Sequence, residues 1–550
     1  MLFDGILIRR YVMNIKIKVA CAYLTPEGIV ADSVSNPKFA EYKVVEDDAT
    51  YSLFASSVMA PVGVTARIPL GAGEGESVFM NGFQSSSYSC ERAAIGKASS
   101  VEIASSYLGY AYGAVFGDSC PIKKYKNKPG VAYGFSYCYF RNGDKIKLFA
   151  SLDESCGYTV FRYDATAGAL IVKKDIEGVE CFDNYKALSV FYAEGGEDEV
   201  FDAWFARLGK SENPPAPKLV GYSTKKLAAI NESVIDYKLS AVKGCFPEKP
   251  NIYIIDGDYC AAGDWTAPDA EKFPAGLKPM SEMIKSAGLM SGLRISPFTV
   301  SADSRIYAEH KDWLLRTKSG RLVKVGRGAY ALDSENEEVK AYVHETLRTI
   351  LYMWGFDLVK LDELYVAGII PARGKSRGAR MCDAMSFLRE CCGGKLMYAD
   401  DTPLMPAFYI ADYCAISGDS VTNMLPEAYT QKFHRESSSV KSASANIVFR
   451  RELNKRAFLS APCYISLDDK ETFYDGKLNN AEQNVLTNLE GLFTSVAIVN
   501  DTGAAYDRKK KRRFRKMCRL DSAEGAKVAK ASDGFFVSYK FEGKSYVVKF

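Results

Sequence analysis

The chain has 550 residues, of which 47% are apolar and 25% charged, a composition typical of a soluble globular protein with two or three domains. A net charge of +4 gives no indication of a polyanionic partner, and three histidines are too few for multi-histidine metal chemistry. The 14 cysteines are scattered without a CxxC motif, which favours reduced intracellular thiols over a disulfide framework or a zinc site.

The N-terminal segment lacks the uninterrupted apolar core of a signal peptide, because Arg9, Arg10, Lys16 and Lys18 break its apolar stretches. No later stretch reaches the 18 apolar residues that a membrane-spanning helix needs. We therefore expect a soluble cytoplasmic protein without a membrane partner.

Residues 1–215 are rich in Gly, Ser, Tyr and Val and contain short segments of alternating polarity, for example Lys145–Ser151 and Ala169–Lys173. Turn-forming clusters such as Arg141–Asp144 separate these segments, a pattern that predicts an antiparallel β-sandwich domain. The proline-rich stretch Glu212–Pro217 then predicts a linker to the next domain.

Residues 216–505 change to apolar strands that alternate with helical patterns, which predicts a (β/α)8 TIM barrel. One helix is marked by a predicted capping box at Ser334–Glu337 and a terminal Gly355. The eight predicted strands are Leu219–Ser223, Ile252–Asp256, Gly292–Pro297, Asp357–Asp362, Lys395–Asp400, Asp412–Ser417, Ala457–Ile465 and Val496–Asn500.

Residues 506–550 return to alternating polarity near their end and predict a short C-terminal β domain. They begin with a run of six basic residues, Arg508–Arg513. Because no aromatic or glycine-rich nucleic-acid signature accompanies this run, we interpret it as the solvated face of a helix and expect no nucleic-acid partner.

Four of the predicted barrel strands end in acidic residues: Asp256 and Asp258, Asp362, Asp400 and Asp401, and Asp419. The C-terminal ends of barrel strands meet at one mouth, where clustered carboxylates would repel each other unless they bind something. Glycosidases use such a cluster, with one carboxylate as nucleophile and another as general acid. The alternatives are helix caps, which a single Asp often provides, and a divalent metal site.

The order and spacing of several motifs resemble family 36 of the glycoside hydrolases, the melibiase-type α-galactosidases, over nearly the whole chain. The N-terminal motifs are Asn81–Ser85, Gly157–Thr159 and Asp175–Gly178. The barrel motifs are Ile255-Asp256, Gly263–Trp265, Phe273–Lys278, Trp354–Asp357, Lys360–Asp362 and Pro403–Asp419.

The resemblance implies an N-terminal β-supersandwich, a central TIM barrel, a C-terminal β domain and a retaining mechanism without cofactor or metal. Asp362 would be the nucleophile and Asp419 the general acid/base, with their carboxyl groups about 5–5.5 Å apart. It also implies an oligosaccharide substrate and leaves homo-oligomerisation open. The residues that we expect to bind the sugar are Asp256, Asp258, Lys360, Trp265, Arg294 and Asp401.

The chain also departs from the family pattern. Glycine separates Asp256 from Asp258 where the family has adjacent aspartates, and Arg294 replaces a tryptophan of the third strand. Further departures are Ser86 for tryptophan, Ala415 for arginine, and Ser460–Cys463 for an Asn-Asp-Pro-Asp motif. The sequence thus predicts an α-galactosidase, with a related α-glycosidase or transglycosylase of other specificity, or a catalytically silent glycan-binding protein, as alternatives.

Overall fold

The computed structural model describes residues 15–73, 75–95, 129–209, 216–225, 227, 229–326, 328–418, 420, 439–462, 464–468, 478–531 and 534–550. Its described part consists of a β-sandwich, a parallel β-barrel surrounded by helices, and a small C-terminal sheet. The predicted fold class is therefore confirmed.

The N-terminal domain packs two antiparallel sheets face to face, with strand orders β2-β1-β5-β12-β11-β8 and β3-β4-β13-β10-β9-β6-β7. Alternating side chains of both sheets bury a common apolar core. The strands β1 to β13 are Lys18–Thr25, Gly28–Ser33, Glu41–Glu46, Thr50–Ser57, Pro61–Pro69, Ser77–Met80, Arg92–Ala93, Val131–Phe135, Tyr137–Asn142, Lys145–Ser151, Thr159–Asp164, Ala169–Lys174 and Phe182–Gly196.

Eight parallel strands form the barrel, each within or overlapping a predicted segment. They are β14 (Leu219–Ser223), β15 (Ile252–Ile255), β16 (Met290–Ile295), β20 (Leu358–Leu361), β21 (Leu396–Ala399), β22 (Tyr413–Ala415), β23 (Leu459–Ala461) and β24 (Val496–Val499). Neighbours follow chain order, and β24 returns to pair with β14. The seam between β23 and β24 is closed by Ser495 N, which donates to Ser460 O at 2.9 Å, and by a bridge between Ile465 and Val499.

A three-stranded sheet inserted after β16 contains β17 (Thr299–Ser301), β18 (Lys324–Gly326) and β19 (Ala329–Ala331). The helices of the described residues are α1 to α9: Glu197–Leu208, Glu232–Cys245, Lys278–Ser286, Arg305–Glu309, Glu337–Arg348, Arg377–Cys392, Val440–Phe449, Asn480–Phe493 and Arg508–Arg519. Within the described ranges, no helix is long and apolar enough to cross a membrane.

The predicted helix after Ser334 exists as α5, but the predicted capping box was wrong. The helix begins two residues later, and the side chain of Asn336 caps it by accepting hydrogen bonds from Glu338 N and Val339 N. The Ser334 hydroxyl instead donates to Ala367 O at 3.1 Å. Gly355 has the positive φ of 77° expected of a helix stop, after a π-helical turn at Thr349–Met353.

The sandwich and the barrel share a continuous apolar core. Trp204 of α1 is fully buried, donates to Ser151 O of the sandwich at 2.9 Å, and packs its ring 5.9 Å from that of Phe408 in the barrel. Phe79 of the sandwich similarly packs 6.2 Å from Phe449 of α7. The C-terminal sheet, β25 (Glu524–Ala531), β26 (Gly534–Phe541) and β27 (Lys544–Lys549), is joined to the barrel through α9, which packs on α8.

Candidate active site

Alternation along the barrel strands decides which side chains face the barrel interior. Successive side chains of a strand point to opposite faces, and the inward set forms a separate apolar cluster. This cluster includes Leu219, Ile252, Ile254, Leu358, Tyr398, Tyr413, Val496 and Ile498. Two residues beyond three of these positions, at the C-terminal strand ends, come Asp256, Lys360 and Asp400. Asp362 is the next inward position after Lys360, so the barrel mouth collects charged side chains.

Lys360 lies between two of these carboxylates. Its side chain is fully buried, and Nζ lies 2.9 Å from Asp256 Oδ2 and 3.1 Å from Asp400 Oδ2. The Tyr464 ring centroid is 4.7 Å from the same nitrogen. Burial disfavours the charge of Lys360, but Asp256, Tyr464 and Asp400 outweigh it and hold the pKa of the lysine well above its usual value. Asp400 is one of the predicted strand-end acids but not one of the expected sugar-binding residues, although its position two residues after Tyr398 could have identified it.

Asp362 is held on both carboxylate oxygens. Its Oδ2 accepts a hydrogen bond from Arg294 Nε at 3.0 Å, and its Oδ1 accepts one from Glu363 N at 2.9 Å. Burial alone would raise the pKa of Asp362, but the charges of Arg294, Lys360 and Lys225 prevail and hold this pKa well below its usual range. The Asp362 carboxylate therefore remains ionised in a nearly closed site, as a nucleophile requires.

Two further acids next to Asp362 have raised pKa values. Burial, together with the charges of Asp362 and Asp400, raises the pKa of Asp401 well above its usual value. Burial also raises the pKa of Glu363, although the Arg294 charge opposes the effect. Both residues have positive φ, 42° and 53°, and the amide of each donates to the side chain of the preceding aspartate at 2.9 Å. These matching turns fix the two strand-end carboxylates at the mouth.

Trp265 and Asp258, two of the expected sugar-binding residues, lie at different depths. Trp265 is buried with its ring centroid 6.0 Å from Arg294 Cζ, and its Nε1 has no hydrogen-bond partner within the described part of the chain. A buried N–H of this kind is available to a ligand oxygen. Asp258 is exposed, and its backbone oxygen accepts a hydrogen bond from Lys272 Nζ at 3.0 Å. Sugar binding by both stays a prediction.

The N-terminal domain supplies part of the site wall through the loop 81–85. Ser85 N donates to Thr402 O at 3.2 Å, directly after Asp401. The buried guanidinium of Arg450 in turn donates to Asn81 Oδ1, Gln84 O, Ser85 O and Ile416 O at 2.6–2.9 Å. Arg450 thus connects this loop to the segment that leads from β22 toward position 419.

Asp419, the predicted general acid/base, lies outside the described residues. The strand before it is described: Tyr413 and Ala415 belong to the inward apolar cluster, and Ser417, the next residue in this alternation, is buried. In the described part of the chain, no group of three or more His, Cys, Asp or Glu side chains is arranged to hold a metal ion. The cations Lys360 and Arg294 instead balance the carboxylates that the structure brings together.

We predict that Lys360→Met lowers the free energy of unfolding by about 3–5 kcal/mol, because it leaves two carboxylates buried without their cation. Chemical denaturation at neutral pH measures this loss. The matched control is Lys340→Met on α5, which breaks the exposed Lys340–Glu337 pair at 2.8 Å and should cost at most about 0.5 kcal/mol. Equal losses in the two variants would show that Lys360 contributes no more than a surface lysine.

A sequence model of the Melibiase family matches residues 254–378 of the chain. The chain is 34% identical over 252 residues to alpha-galactosidase AgaA of Geobacillus stearothermophilus and 33% identical over 114 residues to an alpha-galactosidase of Escherichia coli. These alignments cover 42% and 20% of the chain, but only 32% and 16% of the two relatives, so the chain matches a third or less of either protein.

Solved structures resemble the chain over most of its length. TtGalA, an alpha-galactosidase from Thermus thermophilus in complex with p-nitrophenyl alpha-D-galactopyranoside, superposes with a TM-score of 0.70 at 22% identity and covers 92% of this chain and 99% of that one. GH36 alpha-galactosidase AgaA from Geobacillus stearothermophilus superposes with a TM-score of 0.58 at 12% identity, covering 96% and 78%. At these identities the likeness establishes a common fold.

Proposed function

We propose that the chain is a member of the melibiase family, family 36 of the glycoside hydrolases, and a retaining α-galactosidase that hydrolyses terminal α-galactosyl residues of oligosaccharides. One observation carries this proposal: a buried carboxylate, Asp362, is kept ionised at the barrel mouth by Arg294 and Lys360. The two sequence relatives described above are alpha-galactosidases by name, and solved structures of AgaA and of the structural neighbour TtGalA contain stachyose.

The proposed reaction has two displacements at the anomeric carbon of the sugar. In the first, an Asp362 oxygen forms an ester bond to this carbon while the bond to the leaving oxygen breaks, and Asp419 gives its proton to that oxygen. In the second, Asp419 takes a proton from water, whose oxygen attacks the anomeric carbon and releases Asp362. Two inversions give net retention, and the proton balance of Asp419 is restored.

Arg294, we propose, positions and ionises the nucleophile in addition to the sugar-binding role expected from the sequence. Among the nearby cations, its guanidinium lowers the pKa of Asp362 most. Its Nε donates a hydrogen bond to one of the two carboxylate oxygens. Asp256, Lys360, Asp401 and Trp265 then remain to bind sugar hydroxyls, together with Asp258 at the exposed rim.

We predict that Arg294→Met lowers kcat/KM roughly tenfold to a hundredfold, the range for losing a hydrogen bond to a charged group. It should also move the acidic limb of the pH profile upward. Asp362 acts only when ionised, and its pKa would rise once the cation is gone, so activity would be lost earlier as pH falls. Arg294→Lys keeps the charge and should restore much of the limb. An unchanged limb in Arg294→Met would assign Arg294 to substrate contact alone.

A screen of nitrophenyl α- and β-glycosides tests the proposed function. We expect turnover of the α-galactoside and none of the β-galactoside, with α-galactose as the first product. Preferred turnover of the α-N-acetylgalactosaminide, or transfer of galactose to a sugar acceptor, would indicate the alternative specificities that the departures at Arg294 and Ala415 leave open. Binding of galactosides without any turnover would indicate a silent glycan-binding protein.

We further propose a cytoplasmic location, which the free state of all 12 described cysteines supports. A reporter fusion of the chain in its native host, compared between cytosolic and secreted fractions, checks this location. Light scattering of the purified chain measures its molar mass and so tests whether it forms a homo-oligomer.

A further inference from the structure

Charged residues are distributed unevenly along the chain, although its net charge is small. Residues 506–550 contain 14 basic and five acidic residues, a net charge of +9, whereas the whole chain carries +4. The preceding 505 residues are therefore net acidic, and the positive charge is concentrated in α9 and the C-terminal sheet. Charge segregation of this kind produces a local potential that attracts anionic partners.

Exposed arginines form a stripe along α9. Arg508, Arg512, Arg515 and Arg519 are all exposed and follow one another three or four residues apart, which places them on one helix face. Over 11 residues the stripe extends about 16 Å. Arg515 Nε donates to Pro247 O and Arg519 pairs with Glu542, but Arg508, Lys509 and Arg512 have no ion-pair partner in the described part of the chain.

The stability of the helix does not account for this stripe. Cations in the first turn oppose the helix dipole, and like charges four residues apart repel each other. The helix has no acidic residue between Arg508 and Arg519, and the charge at its start is opposed by the capping Asp507 and by Asp468, which pairs with Lys510. Folding is secured instead by the opposite face, where Phe514 and Met517 are buried.

The stripe begins on the face of the barrel where the candidate active site opens. A helix that follows a barrel strand starts at the C-terminal mouth, and α9 follows β24. Lys510 Nζ in its first turn lies 3.3 Å from Asp468 Oδ2. Asp468 comes four residues after Tyr464, whose ring contacts the buried Lys360 of the site. A ligand that extends out of the mouth on this side would run along the arginines.

We propose that the stripe of Arg508, Arg512, Arg515 and Arg519, with Lys509, binds the anionic part of an acidic glycan whose α-galactosyl end enters the site. This inference rests on the proposed function, which makes the ligand at the mouth a sugar chain. Oxidation of the terminal alcohol of a sugar gives a uronate, whose anionic group is a carboxylate. Planar guanidinium groups bind carboxylates through two parallel hydrogen bonds. The substrate class is therefore an α-galactosylated polyuronate.

Calorimetric binding of polygalacturonate at low salt tests the proposal. We expect binding that weakens as salt rises, and a loss of affinity of at least about tenfold in the triple variant R508E/K509E/R512E. The variant should retain its kcat/KM on the neutral nitrophenyl α-galactoside. Its melting temperature should be equal or higher, since acids in the first turn favour the helix.

The matched control is K43E/K145E/K173E, which reverses three exposed lysines of the N-terminal domain and changes the net charge equally. It should bind polygalacturonate within about twofold of the wild type. Equal losses in both triple variants, no binding to the wild type, or tighter binding of duplex DNA than of polygalacturonate would each overturn the proposal. Failure of the proposed function would appear separately, as absent turnover of the neutral galactoside.

Discussion

Asp362→Ala is expected to reduce turnover of α-galactosides by on the order of 10⁴-fold or more, because it removes the proposed covalent nucleophile. The fold should remain intact. In the described part of the chain Asp362 is hydrogen-bonded to Arg294 and to the amide of the next residue, and the buried Lys360 keeps Asp256 and Asp400 as its partners when the Asp362 carboxylate is removed. Steady-state kinetics together with a thermal melt separates the loss of activity from unfolding.

Azide distinguishes this assignment from simple damage to the site. A small anion can occupy the space left by the Asp362 carboxylate beside Arg294 and attack the anomeric carbon of an activated substrate in one step. The product should then be the β-galactosyl azide, since a single displacement inverts the configuration. Turnover near the wild-type rate in Asp362→Ala, or rescue that gives the α-azide, would remove Asp362 from the role of nucleophile.

Asp419→Ala is expected to slow hydrolysis of natural α-galactosides by about 10²–10⁴-fold, the usual contribution of a general acid. Formation of the glycosyl-enzyme from a nitrophenyl galactoside should be nearly unaffected, because nitrophenolate leaves without a proton. The second step would still lack its base, so a burst of nitrophenol followed by a slow steady state is expected. Rapid-mixing kinetics measures both phases.

The configuration of the rescued product supplies the control for this second variant. In Asp419→Ala the nucleophile is intact, so azide would attack the anomeric carbon of the glycosyl-enzyme, release the Asp362 carboxylate and give the α-galactosyl azide, opposite to the product expected from Asp362→Ala. The alkaline limb of the pH profile, set by the group that must be protonated, should also disappear. Equal losses on raffinose and on nitrophenyl galactoside in the rate of forming the glycosyl-enzyme would argue against Asp419 as the acid/base.

The barrel and most of its charged mouth could be predicted from the sequence because both depend on local patterns. Apolar runs such as Ile252–Ile255 mark the strands, and the period of two along a strand places Lys360 and Asp362 on the same side. Their inward direction follows from Leu358, which belongs to the interior cluster. Asp256 is fixed by the same argument from Ile254.

The contact between Arg294 and Asp362 could not be predicted in this way, because it depends on how two strands are aligned. The register pairs Arg294 of β16 with Lys360 of β20 across 66 residues of sequence, and only this register brings the guanidinium to the neighbouring Asp362. The sequence marked Arg294 as a departure from the family pattern but not its partner. The position of the loop 81–85 beside Thr402 likewise depends on packing between domains.

Four of the hydrogen bonds that Arg450 makes limit which parts of the chain could be exchanged with a relative, by evolution or by protein engineering. Three of them end on Asn81, Gln84 and Ser85 in the sandwich, and one ends on Ile416 in the barrel. In a barrel transferred without the sandwich, the Arg450 guanidinium would lose three hydrogen-bond acceptors. Leaving a buried charged group without these acceptors lowers stability more than exposing the surface between the two domains. The smallest unit that could be transferred is therefore the sandwich and barrel together, and chimeras joined at the predicted linker near residue 215 would have to keep both sides of this contact.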